Sequence, residues 1–304
     1  MKKNSFKRLL SLLVIACLLT MSIQTVQGTT AYAAASTKVT ANTTWEVDKT
    51  TKLSALTIGS GASVTAPEGY TVTMTVGGVE TAMEAGKYKG KIVLTVTPKL
   101  TVNPSSYSGR GIEDYRTAIY IDETGLVKSQ SVSSAVSGGK VTSKVASNIN
   151  ITSNSDNFNA IIVNGANYTV KNSTFNFISK SDGSNVSDFT GYGAVISTFN
   201  DAKITLDKVL INTEGVARVA LFDDDYSDAL VTDSTINVMG GTLYDGYVNS
   251  ADQAKMVAPP WVLGITGNAR ATNMIGKCSS TTVVRSNVTA NQWGVLSTDS
   301  GSDM

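Results

Sequence analysis

Across Lys203–Asn212 the chain reads KITLDKVLIN, two runs of alternating apolar and polar positions broken by charged residues. The pattern returns as YTVKNSTFN (Tyr168–Asn176), ALVTDSTIN (Ala229–Asn237) and TTVVRSNVT (Thr281–Thr289). Inward positions two residues apart are the period of a β-strand with one buried face. Placed in register, the segments form columns. Tyr168, Ile204, Ala229 and Thr281 make the first, and Val170, Leu206, Val231 and Val283 the second. Beyond the bend come Ser173, Val209, Ser234 and Ser286, then Phe175, Ile211, Ile236 and Val288. First-column members lie 36, 25 and 52 residues apart, so insertions vary while the bent strand pair is kept.

A further short apolar run precedes each copy: AIIV (Ala160–Val163), AVIS (Ala194–Ser197), VALF (Val219–Phe222) and VLGI (Val262–Ile265). A last one, GVLS (Gly294–Ser297), opens a coil that is not completed by Met304, which predicts a truncated sequence. Three short strands per repeat, stacked repeat on repeat, predict an all-β parallel β-helix. One coil cannot bury its own apolar edge, which is why the motif recurs. Asn150, Asn176, Asn212 and Asn237 follow Ile149, Phe175, Ile211 and Ile236, predicting a stacked asparagine ladder. Lys208, Asp233 and Arg285 share a column at the bend and predict a surface charge ladder.

Upstream, Thr43–Pro98 carries LTIG, SVTA, YTVTMTV and KIVLTVT between Gly- and Pro-bearing turns, an amino-terminal β region that fits either a small sheet or the first coils. The chain resembles the right-handed parallel β-helix proteins of the pectate-lyase-like superfamily over roughly residues 110–304, on its coil periodicity. Thr43–Pro98 resembles the β region ahead of such helices in exported bacterial proteins. The domains expected are a signal peptide (1–33), the amino-terminal β region (34–100) and the β-helix (101–304).

The leader follows from MKKNSFKR, the 15-residue apolar run Leu9–Ile23 and the small-x-small site Ala31-Tyr32-Ala33. That run is shorter than the ~20 residues a membrane-spanning helix needs. The mature chain is therefore expected to be secreted or held at the cell surface, with no transmembrane helix. Val14-Ile15-Ala16-Cys17 resembles a lipobox, but Leu18 and Leu19 continue the apolar run where lipoproteins turn polar. Beyond the leader Cys278 is the only cysteine, so packing and backbone ladders must hold the fold without an internal disulfide.

Composition narrows the chemistry. With 25 basic and 24 acidic residues, nothing steers the chain toward nucleic acid. Histidine is absent, which removes imidazole bases and His-containing metal sites. Insertions at Ser179–Tyr192 and Gly240–Trp261 follow a third strand, while Gly267–Ser280 and Asp223–Ala229 follow a first strand. They predict a groove along the first-strand face, where the resemblance implies that polysaccharide lies. Phe189, Tyr192, Tyr226, Tyr244, Tyr247 and Trp261 are the candidate sugar-stacking rings.

The sharpest polar cluster is FDDDYSD (Phe222–Asp228). Asp223, Asp224, Asp225 and Asp228 are candidate oxygen ligands for Ca²⁺. The resemblance implies a lyase in which Asp223 or Asp225 holds the ion and Arg218 or Arg270 is the base. Hydrolases of the superfamily use clustered aspartates with a histidine motif that this chain lacks. Two functions are expected from this: a polysaccharide- or cell-surface-glycan-binding envelope protein, or a polysaccharide lyase or glycoside hydrolase of the same architecture.

Overall fold

In the computed structural model, the described residues are 35–102, 114–179, 190–216, 218–242, 245, 270–291 and 294–299. They form strands joined by turns, with two short 3₁₀ turns at Lys128–Gln130 and Ser133–Ala135. No helix among them is long and apolar enough to cross a membrane. The leader and the insertion from Gly246 to Ala269 lie outside the described residues.

The repeating part is built from three parallel ladders. One runs through Arg116–Asp122, Phe158–Asn164, Ile196–Phe199, Leu221–Asp224, Thr272–Ile275 and Thr298–Asp299. The second joins Val145–Ser153, Asn167–Lys171, Lys203–Asp207, Asp228–Thr232 and Ser280–Val284. The third leaves the same Val145–Ser153 strand and joins Thr174–Ile178, Leu210–Glu214, Thr235–Met239 and Asn287–Ala290. Sequence columns become physical stacks: Tyr168, Ile204, Ala229 and Thr281 pair in order, as do Phe175, Ile211, Ile236 and Val288. The interior members Val170, Leu206, Val231, Phe175, Ile211 and Ile236 are all fully buried. Each such side chain contributes on the order of 1.5–3 kcal/mol by leaving water.

The bend has a conformational cause. Asn148, Asn172, Lys208, Asp233 and Arg285 all adopt left-handed backbone, with φ between 48° and 56°. One residue per repeat thus turns the chain between its second and third strands. Asparagine and aspartate tolerate that conformation; lysine and arginine adopt it at a cost. The adjoining serines lock the corner. Ser173, Ser234 and Ser286 donate their hydroxyls to the carbonyls of Lys171, Thr232 and Val284. They also accept from the N–H groups of Ile149, Val209 and Ser234 in the preceding repeat.

Two registers differ from the sequence reading. Ile151 and Thr152, not Ile149 and Asn150, face Phe175 and Asn176. The first repeat has no strand break at its bend, so counting from an apparent turn misplaces it by two residues. First strands also start later than the apolar runs: Ile196–Phe199 and Leu221–Asp224 replace 194–197 and 219–222. Polar Thr198, Asp223 and Asp224 sit inside strands, where an apolar run cannot reveal them. In the next repeat that strand is Thr272–Ile275, within the segment expected to be a loop, while 262–265 lie outside the described residues. Gly294 bridges Arg270, and the strand that follows is Thr298–Asp299.

The amino-terminal region is a small, mainly antiparallel sheet. Gly86–Pro98 pairs with both Thr51–Ile58 and Tyr70–Val76, and Ser36–Val39 adds a parallel edge. Leu53, Leu56, Ile58, Met74, Ile92 and Leu94 form its own core. Val79–Glu80 continues the sheet into the first repeat through the Glu80–Ser153 pair.

Candidate functional site

Strand alternation disperses the acidic turn. Asp223 stands in the interior column between Thr198 and Met274, whereas its neighbour Asp224 points to the opposite face of the sheet. Asp223 accepts hydrogen bonds from Thr198 Oγ1 at 2.5 Å and Thr281 Oγ1 at 2.6 Å. Burial drives its carboxyl up to about 7, only partly opposed by those two hydroxyls. Asp224 is also buried. Asp225 sits in the turn with φ 36° and accepts from the Lys277 N–H at 3.1 Å. A Cβ on Gly276, itself at φ 83°, would run into the Asp224 and Asp225 carboxylates. Asp228 accepts from Ser280 Oγ at 2.5 Å and pairs with Lys203 Nζ at 3.2 Å.

Asp224 and Asp225 thus meet beside Gly276, whereas Asp223 points to the interior and Asp228 to the surface. Ca²⁺ takes roughly six to eight oxygens around one point, and this set does not fit it. Among the described residues no three metal-binding side chains converge.

Both candidate bases are interior. Arg218 is 1% exposed; its Nη2 donates to the Ser155 and Asp156 carbonyls, and its guanidinium lies 5.7 Å from the Phe177 ring centre. Burial lowers its pKa to about 10, so it stays charged at neutral pH. Arg270, equally buried, donates to Asn273 Oδ1 and Ser297 Oγ. Among the rings, Tyr192 is buried edge-on against Tyr115, 5.4 Å between centroids, and accepts from Asn157. Burial pushes its phenol up to about 12. Tyr226 is half exposed at the turn, with φ 59°. Phe189, Tyr244, Tyr247 and Trp261 lie outside the described residues.

The expected open groove is not found along the described first strands. Their outward side carries a second apolar cluster that includes Tyr120, Ile162, Phe199, Phe222 and Ile275, packed with Leu100, Val102, Tyr115 and Tyr192. That face is a core.

Among the described residues, two open clefts lie where the amino-terminal sheet meets the first repeat. One cleft of about 490 Å³ includes Tyr88, Asn154 and Ile178 in its lining; an adjoining one of about 450 Å³ includes Thr71, Asp114, Arg116 and Asn157. Thr81, Ala82, Ser155 and Asp156 line both. The floor is anchored by Glu80, fully buried, which accepts from Ser153 and Ser155 hydroxyls at 2.6 Å each and pairs with Arg116 at 3.4 Å. Arg116 Nη2 donates to Asn157 at 2.5 Å, fixing the amide beside the cleft. Sequence reading missed this site because its residues come from segments more than 70 positions apart, as the Glu80–Ser153 and Glu80–Ser155 bonds illustrate. The one available signal was a lone glutamate in an apolar-flanked TVGGVET turn.

The site thus belongs to an all-β protein of stacked parallel strands with an attached antiparallel sheet. Comparison with protein-family models, curated proteins and solved structures found no match to the chain.

Proposed function

We propose that this protein is an exported or cell-surface right-handed parallel β-helix protein that binds polysaccharide in the trough between its amino-terminal sheet and first repeat. The supporting observation is the pair of adjoining clefts sharing Thr81, Ala82, Ser155 and Asp156. Their combined size suits short stretches of a sugar chain. Asp114, Asp156, Asn157 and Asn154 offer hydroxyl-binding groups, and Tyr88 contributes an aromatic ring. Binding is preferred to cleavage because both candidate bases, Arg218 and Arg270, and one of the two candidate carboxylates, Asp223, are at most 1% exposed, which leaves only Asp225 of that set near the surface.

The test is binding of the full chain to a panel of neutral polysaccharides, with absorbance at about 235 nm followed in parallel on a uronate-bearing polysaccharide for lyase products. The parent should bind at least one glycan, and Asp156→Ala should weaken it roughly tenfold. Absence of binding by the parent, or equal binding by the variant, would refute the trough. Glycan cleavage would replace the binding reading with the enzymatic one.

A further inference from the structure

The amino-terminal sheet carries a second surface, unrelated to the trough. Lys38, Thr57 and Lys87 form one cross-strand row, and Ser36, Ala55 and Lys89 form the next. The rows are two residues apart on each strand, so all six side chains leave the same face. Alternate residues on the other side, Leu56 and Ile58, are buried in the sheet's core. Lys38, Lys87 and Lys89 are exposed, and only Ser36, Ala55 and Thr57 stand between them. Strand spacing puts Lys38 and Lys87 about 10 Å apart at their backbones, and Lys87 and Lys89 about 7 Å apart. The result is a shallow floor of small side chains with cationic posts.

Its charge is unbalanced. The strands of this sheet (Ser36–Val39, Thr51–Ile58, Tyr70–Val76, Val79–Glu80 and Gly86–Pro98) contain one carboxylate, Glu80, which is fully buried on the trough side. A face that serves only solubility mixes signs, and cross-strand neighbours gain from opposite charges. Here like charges are gathered on a rigid sheet although the whole chain is close to neutral, at a formal +1.

We propose that this face binds a linear polyanion, a polymer carrying repeated carboxylate or phosphate groups, laid across the strands so that its charges meet Lys38, Lys87 and Lys89. Small residues between the posts let the polymer backbone lie flat, and the ammonium groups reach its anions on flexible stems. The contact is electrostatic and near the surface, so salt weakens it.

The experiment uses the full chain with polygalacturonate, sodium polyphosphate and neutral dextran, at about 50 and about 300 mM salt. Its comparison is the combined variant Lys38→Gln, Lys87→Gln, Lys89→Gln, with thermal melting as the check on folding. The parent should bind at least one polyanion and not dextran, with affinity falling as salt rises. The triple variant should melt like the parent and bind at least ~10-fold more weakly. Response to polyphosphate alone assigns a phosphate-bearing polymer, and response to polygalacturonate alone a uronate-bearing one. No polyanion binding by the parent at low salt, or undiminished binding by the triple variant, overturns the proposal. Asp156→Ala should leave polyanion binding intact, which keeps this surface and the trough separable.

Discussion

Thr281 Oγ1 donates to Asp223 Oδ2 at 2.6 Å inside the stack, joining the second-strand ladder of one repeat to the first-strand ladder of the repeat before it. The bond gives a wholly buried carboxylate a partner, yet hydroxyls alone do not offset its loss of water.

Asp223 therefore makes stability depend on pH. Its folded pKa, about 7, lies above the unfolded value near 3.8, so the native state holds the proton more tightly. The stabilisation is full below about pH 4 and is lost as pH rises through about 7. The swing is on the order of 4 kcal/mol. Asp223→Asn should raise the melting temperature at pH 8 by several degrees and leave it nearly unchanged at pH 4.5. A constant difference across that range would show that titration of Asp223 is not the cause.

The interior register predicts opposite outcomes for two substitutions in neighbouring strands. Ile211, fully buried between Phe175 and Ile236, should not tolerate Asp; a loss above ~4 kcal/mol is expected. Thr205 lies between Thr169 and Leu230 on the outward side, and Thr205→Asp should cost little. Urea denaturation of both variants checks the pair.

Asn212 donates to Asn176 and accepts from Asn237, at 2.9 Å in both cases. Asn212→Ala removes both rungs and strands two amides. Because the ladder is half-buried, a loss of about 1–2 kcal/mol is expected, larger than for Asn176→Ala, which removes one bond. Equal effects in denaturant would mean that the ladder does not act as a chain.

At the bend, Lys208 holds φ 55° without the freedom of glycine. Lys208→Gly should stabilise by about 0.5–1 kcal/mol, while Lys208→Val should destabilise. Thermal melting of the two variants reads the sign directly.

Glu80 links the amino-terminal sheet to the first repeat through Ser153, Ser155 and Arg116. Removing the carboxylate leaves the Arg116 charge part-buried without it, so Glu80→Ala should cost about 3–5 kcal/mol. Limited proteolysis should then cut near the joint faster than in the parent. Unchanged stability would mean that the apolar contacts suffice.

What the sequence settled by itself is what local period and repetition control. Alternation fixed which side chains of Asn167–Lys171, Lys203–Asp207 and their successors face inward, because a strand has only two sides. Repetition fixed the columns, because parallel neighbours in register place like beside like, as Asn176, Asn212 and Asn237 do. The amino-terminal strands were legible for the same reason. Tertiary structure decided what depends on residues distant in the chain. Asp223 and Asp224 are adjacent in sequence yet fall on opposite faces, so the dense acidic run is split between the two sides of the sheet. Arg218 reads as a surface base but is held inside by the Ser155 and Asp156 carbonyls, 63 and 62 positions away. The floor of the trough is made where Glu80 meets Ser153 and Ser155 across 73 and 75 positions. Periodicity carries no record of such meetings, because they depend on how the sheet and the repeats close upon each other.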